Sequence, residues 1–375
     1  MERSVSILIY FYMFICVSLL VFNLAYIFRS KGRDRKRMRL ERKWLKELEQ
    51  EWEQVAAGSP VSQLHMERLE RKLRNVDILI PYHEAVQKGI NEYSDGRVQQ
   101  YLDLCCGIFQ KLAVAYGKKT AMERAYFAYL LAEYRPNREE SGKQFSIILQ
   151  TYFEDSTVFC RENTLRAIYV SGEKNAVIHA YDWMNEHDCY HHSRLLSDGL
   201  ALYTGDHRQL AWALWKRCRA WDSTFQVAVV QFAATISDEF SERFLEALQD
   251  NDADLELRYA ILRYFRRWHF HDAKQTLIKL LTERENDLAI VSAIALSNYQ
   301  GEDTVQALKA ALCSRNWHVR HNAAESLVSL GADLADLEQM RDLDRYGAEM
   351  LEYVMERSGK TKKAALDTQR KAVMA

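Results

Sequence analysis

The sequence predicts an all-α fold in which a right-handed α-solenoid of two-helix repeats follows a single N-terminal transmembrane helix. Three observations support this prediction. Residues 5–28 form an uncharged run, a sequence pattern recurs at intervals of 29 to 33 residues, and the 375 residues include only three prolines. Because proline interrupts helices and 48% of the residues are hydrophobic, the chain can form many helices around a large core.

The uncharged run over residues 5–28 is the predicted transmembrane helix. As an α-helix, these 24 residues would be about 36 Å long, which exceeds the ~30 Å core of a bilayer. Nine basic and two acidic side chains follow at positions 29–43, a local charge of +7. A cleavable signal peptide would carry its positive charges before a shorter apolar core. By the positive-inside rule we expect a single-pass cell-membrane protein with its N-terminus outside and its repeat domain in the cytoplasm.

Residues 29–57 are predicted to form a juxtamembrane helical linker. Its basic cluster over residues 29–43 is expected to bind anionic lipid headgroups. An apolar helical stripe continues through Leu40, Trp44, Leu45, Leu48, Trp52 and Val55. This stripe fits either a short coiled-coil dimer or packing on the first repeat. Gly58 and Pro60 then end the helix.

The repeat domain is predicted over residues 58–357, followed by a polar, disordered tail at 358–375. Within it, Pro81 is expected to start a helix. The clearest repeat is the last, where Asn316 and Gly331 punctuate the ends of one helix. Val319, Ala323, Leu327 and Leu330 share one face of that helix. Upstream of Arg320, equivalent positions are Val291, Arg258, Val227, Arg194 and Arg161, at intervals of 29, 33, 31, 33 and 33 residues.

This pattern resembles the HEAT repeat family, in particular the short bacterial HEAT-like repeats that also occur in phycobilin lyases. The family's polar turn, Val-Arg pair, two alanines and Leu-x-x-Leu-Gly ending are met by Val319, Arg320, Ala323, Ala324, Leu327, Leu330 and Gly331. The copies at Val227 and Val291 lack the arginine. The resemblance implies an armadillo-like stack of helix pairs whose second helices line a concave surface where partners dock.

Two sets of side chains are candidate sites. In the first set an aspartate precedes an arginine by six residues, and we expect these pairs to form an ion-paired ladder that fixes the stacking register. They are Asp155/Arg161, Asp188/Arg194 and Asp252/Arg258. The second set is basic and aromatic and is predicted to bind a partner: Arg258, Arg266, Arg267, Trp268, His269, His318, Arg320 and His321. A purely structural interpretation is also open, in which Trp268 and Trp317 seal repeat junctions.

Catalytic and metal-binding signatures are sparse. His187, Cys189, His191 and His192 are metal-ligand types, but no second Cys/His pair completes a zinc site, and an inter-helix turn explains the stretch. The chain has no Gly-rich phosphate loop, Gly-x-Ser-x-Gly elbow or His-Glu-x-x-His motif. Seven cysteines without a regular framework suggest reduced thiols. We therefore expect no enzyme, no metal and no cofactor.

These patterns predict a membrane-anchored cytoplasmic scaffold or adaptor that binds a membrane-associated protein, such as a polysaccharide-synthesising glycosyltransferase. Two other functions stay open. The repeats also suggest a phycobilin-lyase-like enzyme or chaperone, which a membrane anchor fits poorly. A nucleic-acid-binding HEAT protein is the other possibility. Because Glu2 and Arg3 cancel, residues 44–375 carry a net charge of −8, which argues against nucleic-acid binding.

Overall fold

The computed structural model describes residues 2–135, 140–282 and 287–359. In these ranges the chain forms 20 α-helices, two short 3-10 turns and no β-strand, so the all-α prediction is confirmed. The chain divides into two compact units, Met1–Val177 (unit 1) and Ile178–Ala375 (unit 2). Most of the predicted tail, from residue 360 onward, lies outside the described residues.

Unit 1 contains the first eight helices, and α9 continues from it into unit 2. Their bounds are α1 Glu2–Ala56, α2 Gln63–Leu73, α3 Val76–Glu92, α4 Arg97–Leu104, α5 Cys106–Gly117, α6 Ala121–Tyr134, α7 Glu140–Gln150, α8 Val158–Ser171 and α9 Lys174–Glu186. A 3-10 turn, Thr151–Phe153, follows α7.

The first helix, α1, is a single uninterrupted helix of 55 residues. Its N-terminal half is long and apolar enough to cross a membrane, and none of its most apolar stretch is buried. The predicted span and the predicted linker are therefore two parts of one rod. Residues 31–39 are also exposed, although Arg37 pairs with Glu84 of α3, and close packing on the rest of unit 1 begins near Leu40.

The C-terminal half of α1 is part of the core of unit 1. Trp44, Leu48, Trp52 and Val55 are buried, and α1 packs on α3 and α4. The Trp52 ring lies directly over Gly89 of α3, where a Cβ atom would come within 2.1 Å of it. Since this stripe is used inside the unit, it is not available as a coiled-coil seam. Of the two interpretations of this stripe, the structure agrees with packing on the first repeat.

One of two proline or glycine signals in unit 1 predicts the helix boundary wrongly, and the other predicts it correctly. Pro81 lies inside α3 and does not start a helix, because Asn75 caps α3 one turn earlier by accepting a hydrogen bond from the Asp77 amide at 2.9 Å. Gly58, in contrast, adopts φ +81° immediately after α1, as expected for a glycine that ends a helix.

In unit 2 the helices form pairs, so that the first and the second helix of each repeat alternate along the chain. The helices are α10 Ser193–Leu200, α11 His207–Cys218, α12 Ser223–Ala234, α13 Ser241–Gln249, α14 Leu255–Arg267, α15 Ala273–Thr282, α16 Leu288–Ala295, α17 Glu302–Leu312, α18 Trp317–Leu330, α19 Leu334–Leu343 and α20 Arg345–Arg357. The second 3-10 turn, Leu296–Asn298, follows α16. The second helices α10, α12, α14, α16, α18 and α20 pack on one another in that order.

Hydrogen bonds between neighbouring second helices fix their direction. The Asn322 side-chain amide donates to the Ile290 carbonyl at 2.8 Å, and the Ser326 hydroxyl donates to the Ala293 carbonyl at 2.7 Å. The Trp268 indole N–H donates to the Ala234 carbonyl at 2.9 Å. Each bond joins positions about one repeat apart, so the second helices run parallel. All their N-terminal ends therefore lie at one edge of the layer.

Candidate protein-binding surface

The predicted partner-binding residues do not form one site. Residues 266–269 lie at the C-terminal end of α14, whereas residues 317–321 begin α18. Because α14, α16 and α18 are parallel neighbours, these two groups lie at opposite edges of the second-helix layer. We call them the C-terminal edge and the N-terminal edge of unit 2.

The C-terminal edge is occupied by structural contacts. Trp268 uses its indole N–H to close the junction between α14 and α12, and the Arg267 guanidinium lies 5.6 Å from its ring centroid. The Asn298 side-chain amide donates to the Arg266 carbonyl at the end of α14. The His269 ring lies 4.6 Å from the Tyr299 ring. These contacts place Trp268 in a repeat junction and satisfy helix-end carbonyls, while the Arg266, Arg267 and His269 side chains stay exposed.

The N-terminal edge presents an exposed tryptophan. Trp317 is the first residue of α18 and keeps 50% of its surface exposed. Its ring stacks on His321 at a centroid distance of 5.0 Å and meets His318 edge-on at 5.1 Å. His321 in turn lies 3.8 Å from the Glu325 carboxylate. The two histidines thus hold an indole that faces solvent, a side chain enriched in binding hot spots.

Other second helices begin in the same way. Leu195, Leu255 and Tyr346 lie in the first turns of α10, α14 and α20 and are 42%, 45% and 67% exposed. Together with Trp317 they place an apolar side chain at the start of four second helices. The sequence signal is an apolar residue one to three positions after the capping residue: Leu255 and Trp317 directly follow Asp254 and Asn316, Tyr346 is two residues after Asp344, and Leu195 is three after His192. The helices between them, α12 and α16, begin with Ser223 and the buried Leu288, so the four side chains are spaced along the edge. Of the four, Trp317 is the residue type most enriched in binding hot spots.

Comparison with known families bears on this region. Residues 241–327 and 275–348 match the family model described as HEAT repeats. This part of the chain carries HEAT repeats. The matched residues include Leu255, Trp317 and Tyr346, so most of the exposed row belongs to the HEAT region. No curated protein matches the chain.

Two of the marker arginines, Arg161 and Arg320, contact the turn that precedes their helix. In the last HEAT repeat, Arg320 donates to the Ser314 and Arg315 carbonyls at 2.8 and 3.1 Å. Arg161 donates to the Ser156 carbonyl at 2.8 Å in unit 1. Gln226, beside the marker position of α12, donates to the Trp221 carbonyl at 2.7 Å. The repeated interaction is therefore a side chain that folds back onto turn carbonyls left unpaired by the first helix.

The ladder of ion pairs predicted for the three Asp–Arg couples is not formed among the described residues. Asp155 and Asp188 have φ values of 45° and 52°, a left-handed conformation that aspartate tolerates in turns. The Asp188 carboxylate accepts a hydrogen bond from the Tyr190 hydroxyl at 2.8 Å. Arg194 is exposed and lies 3.7 Å from Asp198. These aspartates shape the turn and do not carry the arginine contact.

The third couple is Asp252, in the turn before α14, and Arg258, in α14 itself. Asp252 is exposed, and its backbone amide donates to the Asp250 carboxylate at 3.0 Å, which again shapes the turn. Arg258 is half-buried in α14, and its Nε atom has no hydrogen-bond partner within the described chain. Of the three arginines in these couples, Arg161 donates to the turn backbone at Ser156, Arg194 lies near Asp198, and the Nε atom of Arg258 stays without a partner in the described chain.

The histidine-rich stretch near α10 forms a turn. The His187 ring stacks on Trp183 at 4.1 Å, with its Nδ1 atom 2.8 Å from the Trp183 carbonyl. His192 caps α10 by accepting a hydrogen bond from the Arg194 amide. His191 is buried and Cys189 is half-buried. In the described part of the chain no three His, Cys, Asp or Glu side chains are arranged to hold a metal ion.

The buried cysteines are not activated for chemistry. Burial raises the pKa of the Cys105 and Cys218 thiols to about 12. Burial also raises the pKa of Cys160. Since the thiolate is the nucleophile, these side chains act as small apolar core residues at neutral pH.

Proposed function

We propose that this protein is a membrane-anchored cytoplasmic scaffold whose repeats bind a protein partner. HEAT repeats suggest a protein-interaction role in general. The observation that carries the finer proposal is the continuity of α1. One helix includes both an apolar stretch from Phe11 onward that is not buried and four side chains buried in unit 1, so an inserted α1 would hold unit 1 at the bilayer without a flexible linker.

The charge distribution supports the proposed orientation. Nine basic side chains follow the apolar run within residues 29–43. Residues 31–39 are exposed on α1, so most of these charges are free to contact anionic headgroups. The positive-inside rule then places the N-terminus outside and both units in the cytoplasm.

The proposed partner-binding surface is the N-terminal edge of unit 2. Trp317 would be its anchor, with Leu255 and Tyr346 as flanking apolar contacts. Confinement to the membrane surface raises the effective concentration of a partner in the same membrane, so moderate affinity is sufficient. A membrane-associated enzyme, such as a polysaccharide-synthesising glycosyltransferase, fits this arrangement. The scaffold performs no catalytic step in this proposal.

Photocrosslinking in intact cells tests the proposal. A photoreactive residue in place of Leu255 in the full-length chain should give specific adducts with a membrane protein. Trp317→Ala should remove most of them, because truncation of a hot-spot residue costs at least ~2 kcal/mol, about a 30-fold loss of affinity. Tyr353→Ala is the matched control, since Tyr353 is 52% exposed but lies in the middle of α20. Equal adduct yields for both variants would contradict the assignment of this edge.

A further inference from the structure

The directions of the helices in unit 1 show which edge of the unit faces the same way as the apolar end of α1. Helix α2 runs antiparallel to α1, with Arg68 paired to Glu47 at 2.7 Å and His65 lying 3.3 Å from Glu51. Helix α3 follows after a two-residue turn, so it runs parallel to α1 again. Its N-terminal end therefore points in the same direction as the apolar half of α1.

Three inter-helix turns lie side by side at this end of unit 1. The Tyr116 hydroxyl at the end of α5 donates to the Leu73 carbonyl at the end of α2, at 2.8 Å. The Arg124 side chain of α6 donates to the Asp155 carbonyl in the turn before α8, at 3.0 Å. These bonds bring together the turns that precede α3, α6 and α8. We call residues 71–77, 117–122 and 154–159 the turn edge of unit 1.

The turn edge carries both basic and exposed apolar side chains. Residues 71–77 and 117–122 include five basic and one acidic side chain, and Arg71, Arg74 and Lys118 are exposed. Residues 154–159 include two acidic side chains, so the three turns together carry a net charge of +2. Just outside them, Glu70 pairs with Arg74 at 2.9 Å and Glu123 pairs with Lys119 at 3.0 Å, so Arg71 and Lys118 are the exposed basic side chains with no ion pair in the described chain. The exposed apolar side chains are Met122 at 65%, Val158 at 52% and Phe159 at 65%. Basic residues beside projecting apolar side chains are typical of surfaces that lie on anionic bilayers.

The turn edge lies within reach of the bilayer. Lys72 lies over the Trp44 ring of α1, at 5.2 Å. Counting along α1 at 1.5 Å per residue places the α2–α3 turn about 20 Å beyond Phe28. Headgroups fill about 6 Å of this distance, and an extended Arg or Lys side chain covers another ~6 Å.

Helix tilt closes the remaining distance. Helix α8 lies about three interhelical spacings of ~9 Å from α1. A typical transmembrane tilt of about 20° lowers such a point by ~10 Å. Tilt toward α8 therefore brings Phe159 and Met122 to the interface.

We propose that the turn edge of unit 1 is a second lipid-contacting surface, which docks on anionic headgroups of the leaflet that α1 leaves. This inference rests on the proposed membrane anchoring. Arg71, Arg74 and Lys118 bind headgroup phosphates, while Met122 and Phe159 enter the interfacial layer. Anchoring by one helix leaves α1 and unit 1 free to tilt together, and docking of the turn edge fixes this tilt. The basic segment 29–43 and the turn edge then act as two signals for one orientation.

Lipid photolabelling of the full-length chain tests the proposal. The protein is placed in nanodiscs of phosphatidylglycerol and phosphatidylcholine that contain a lipid with a photoreactive group near its headgroup. Adducts are mapped by mass spectrometry of peptides. We expect adducts on the three turns of the turn edge, in addition to residues 29–43. In nanodiscs of phosphatidylcholine alone, labelling of the turn edge should fall several-fold, because the headgroup attraction is lost.

Matched variants separate docking from general effects on the fold. Lys118→Glu should lower labelling of the turn edge at least fivefold, the fold-change that corresponds to ~1 kcal/mol per basic side chain at an anionic surface. Its control is Lys143→Glu, an exposed lysine near the opposite end of α7. Phe159→Asp should remove the adducts at residues 154–159. Its control is Leu104→Asp, since Leu104 is 49% exposed and lies at the other end of α5 from the turn edge.

The outcomes distinguish this inference from the proposed function. If residues 29–43 are labelled and the turn edge is not, the docking surface is refuted while membrane anchoring stands. Equal loss of labelling in the variants and their controls would also refute it. If neither region is labelled and the chain does not enter the nanodisc, the proposed membrane anchoring itself is wrong.

Discussion

Replacing Gly89 by alanine should undock the C-terminal half of α1 from the rest of unit 1. A Cβ atom at this position would lie 2.1, 2.4 and 2.9 Å from three ring atoms of Trp52. Real side-chain contacts are not that short, so the ring or the whole helix has to move. Trp52 is fully buried and also meets Tyr93 at a centroid distance of 5.9 Å, which leaves it no free space.

Two effects of opposite sign decide the magnitude. Alanine is favoured over glycine inside a helix by about 1 kcal/mol, which would stabilise α3. Displacing the buried indole loses most of its packing, and removal of a buried Trp side chain costs about 3–5 kcal/mol. The steric effect is larger, so we expect Gly89→Ala to destabilise the docking of α1 by at least ~2 kcal/mol.

Hydrogen exchange in nanodiscs measures this effect on the full-length chain. Amides over residues 44–56 should exchange at least ~30-fold faster in Gly89→Ala than in the wild type. Gly107→Ala is the control, because a Cβ atom at this exposed position of α5 meets nothing within 4 Å. Unchanged or slower exchange in Gly89→Ala would refute the packing of α1 on α3 described above.

Three further predictions follow from the same contacts. A fragment that starts at Arg33 should fold and stay soluble, whereas one that starts at Ser59 should lose unit 1, because four buried side chains of about 1.5–3 kcal/mol each are removed. Arg320→Ala should lower the free energy of unfolding by about 1–2 kcal/mol through loss of two turn hydrogen bonds. Burial lowers the pKa of His83 to about 4, so lowering the pH from 7 to 4 should cost about 3 kcal/mol of stability.

Controls for these predictions come from the chain itself. Circular dichroism and gel filtration distinguish the two fragments, and a folded, monomeric unit 1 in the shorter one would contradict the role of α1. Denaturant unfolding of Arg194→Ala should match the wild type, since that arginine is exposed. For His83, the unfolded state binds more protons between pH 4 and its ordinary pKa of about 6.5, so stability falls as the pH drops. His83→Gln should reduce this slope but not abolish it, because burial also lowers the pKa of His65. An identical pH profile would refute the contribution of His83.

Local sequence signals predicted the HEAT region well. Asn316 caps α18 by accepting a hydrogen bond from the His318 amide at 2.9 Å, and Gly331 ends the helix with φ +108°. The hydrophobic period located the stacked second helices because each repeat buries the same face against its neighbours. These features depend on residues within one or two helical turns, which is why the sequence alone was sufficient.

Contacts between distant segments were harder to predict. The spacing of Trp44 and Trp52 is compatible with a coiled coil and equally with packing inside the chain. The structure decides between them because Gly89 of α3, which has no side chain, leaves room for the Trp52 indole. Trp268 and Trp317 look alike in sequence. Trp268 meets a free carbonyl of the preceding second helix, whereas Trp317 begins its helix where no neighbour covers it. The prediction of an ion-paired ladder was wrong because the six-residue spacing places the arginine near the turn but does not specify whether it bonds a carboxylate or a backbone carbonyl there.

Protease accessibility tests the central claim, that α1 spans the membrane and holds the repeats in the cytoplasm. The full-length chain is expressed with epitope tags at both ends, and protease is added to sealed spheroplasts or to inverted membrane vesicles. We predict that spheroplasts lose only the N-terminal tag, while inverted vesicles lose both units and keep a short fragment that contains residues 5–28. Digestion of the repeats in intact spheroplasts, or release of the whole chain from membranes by high salt, would contradict the account.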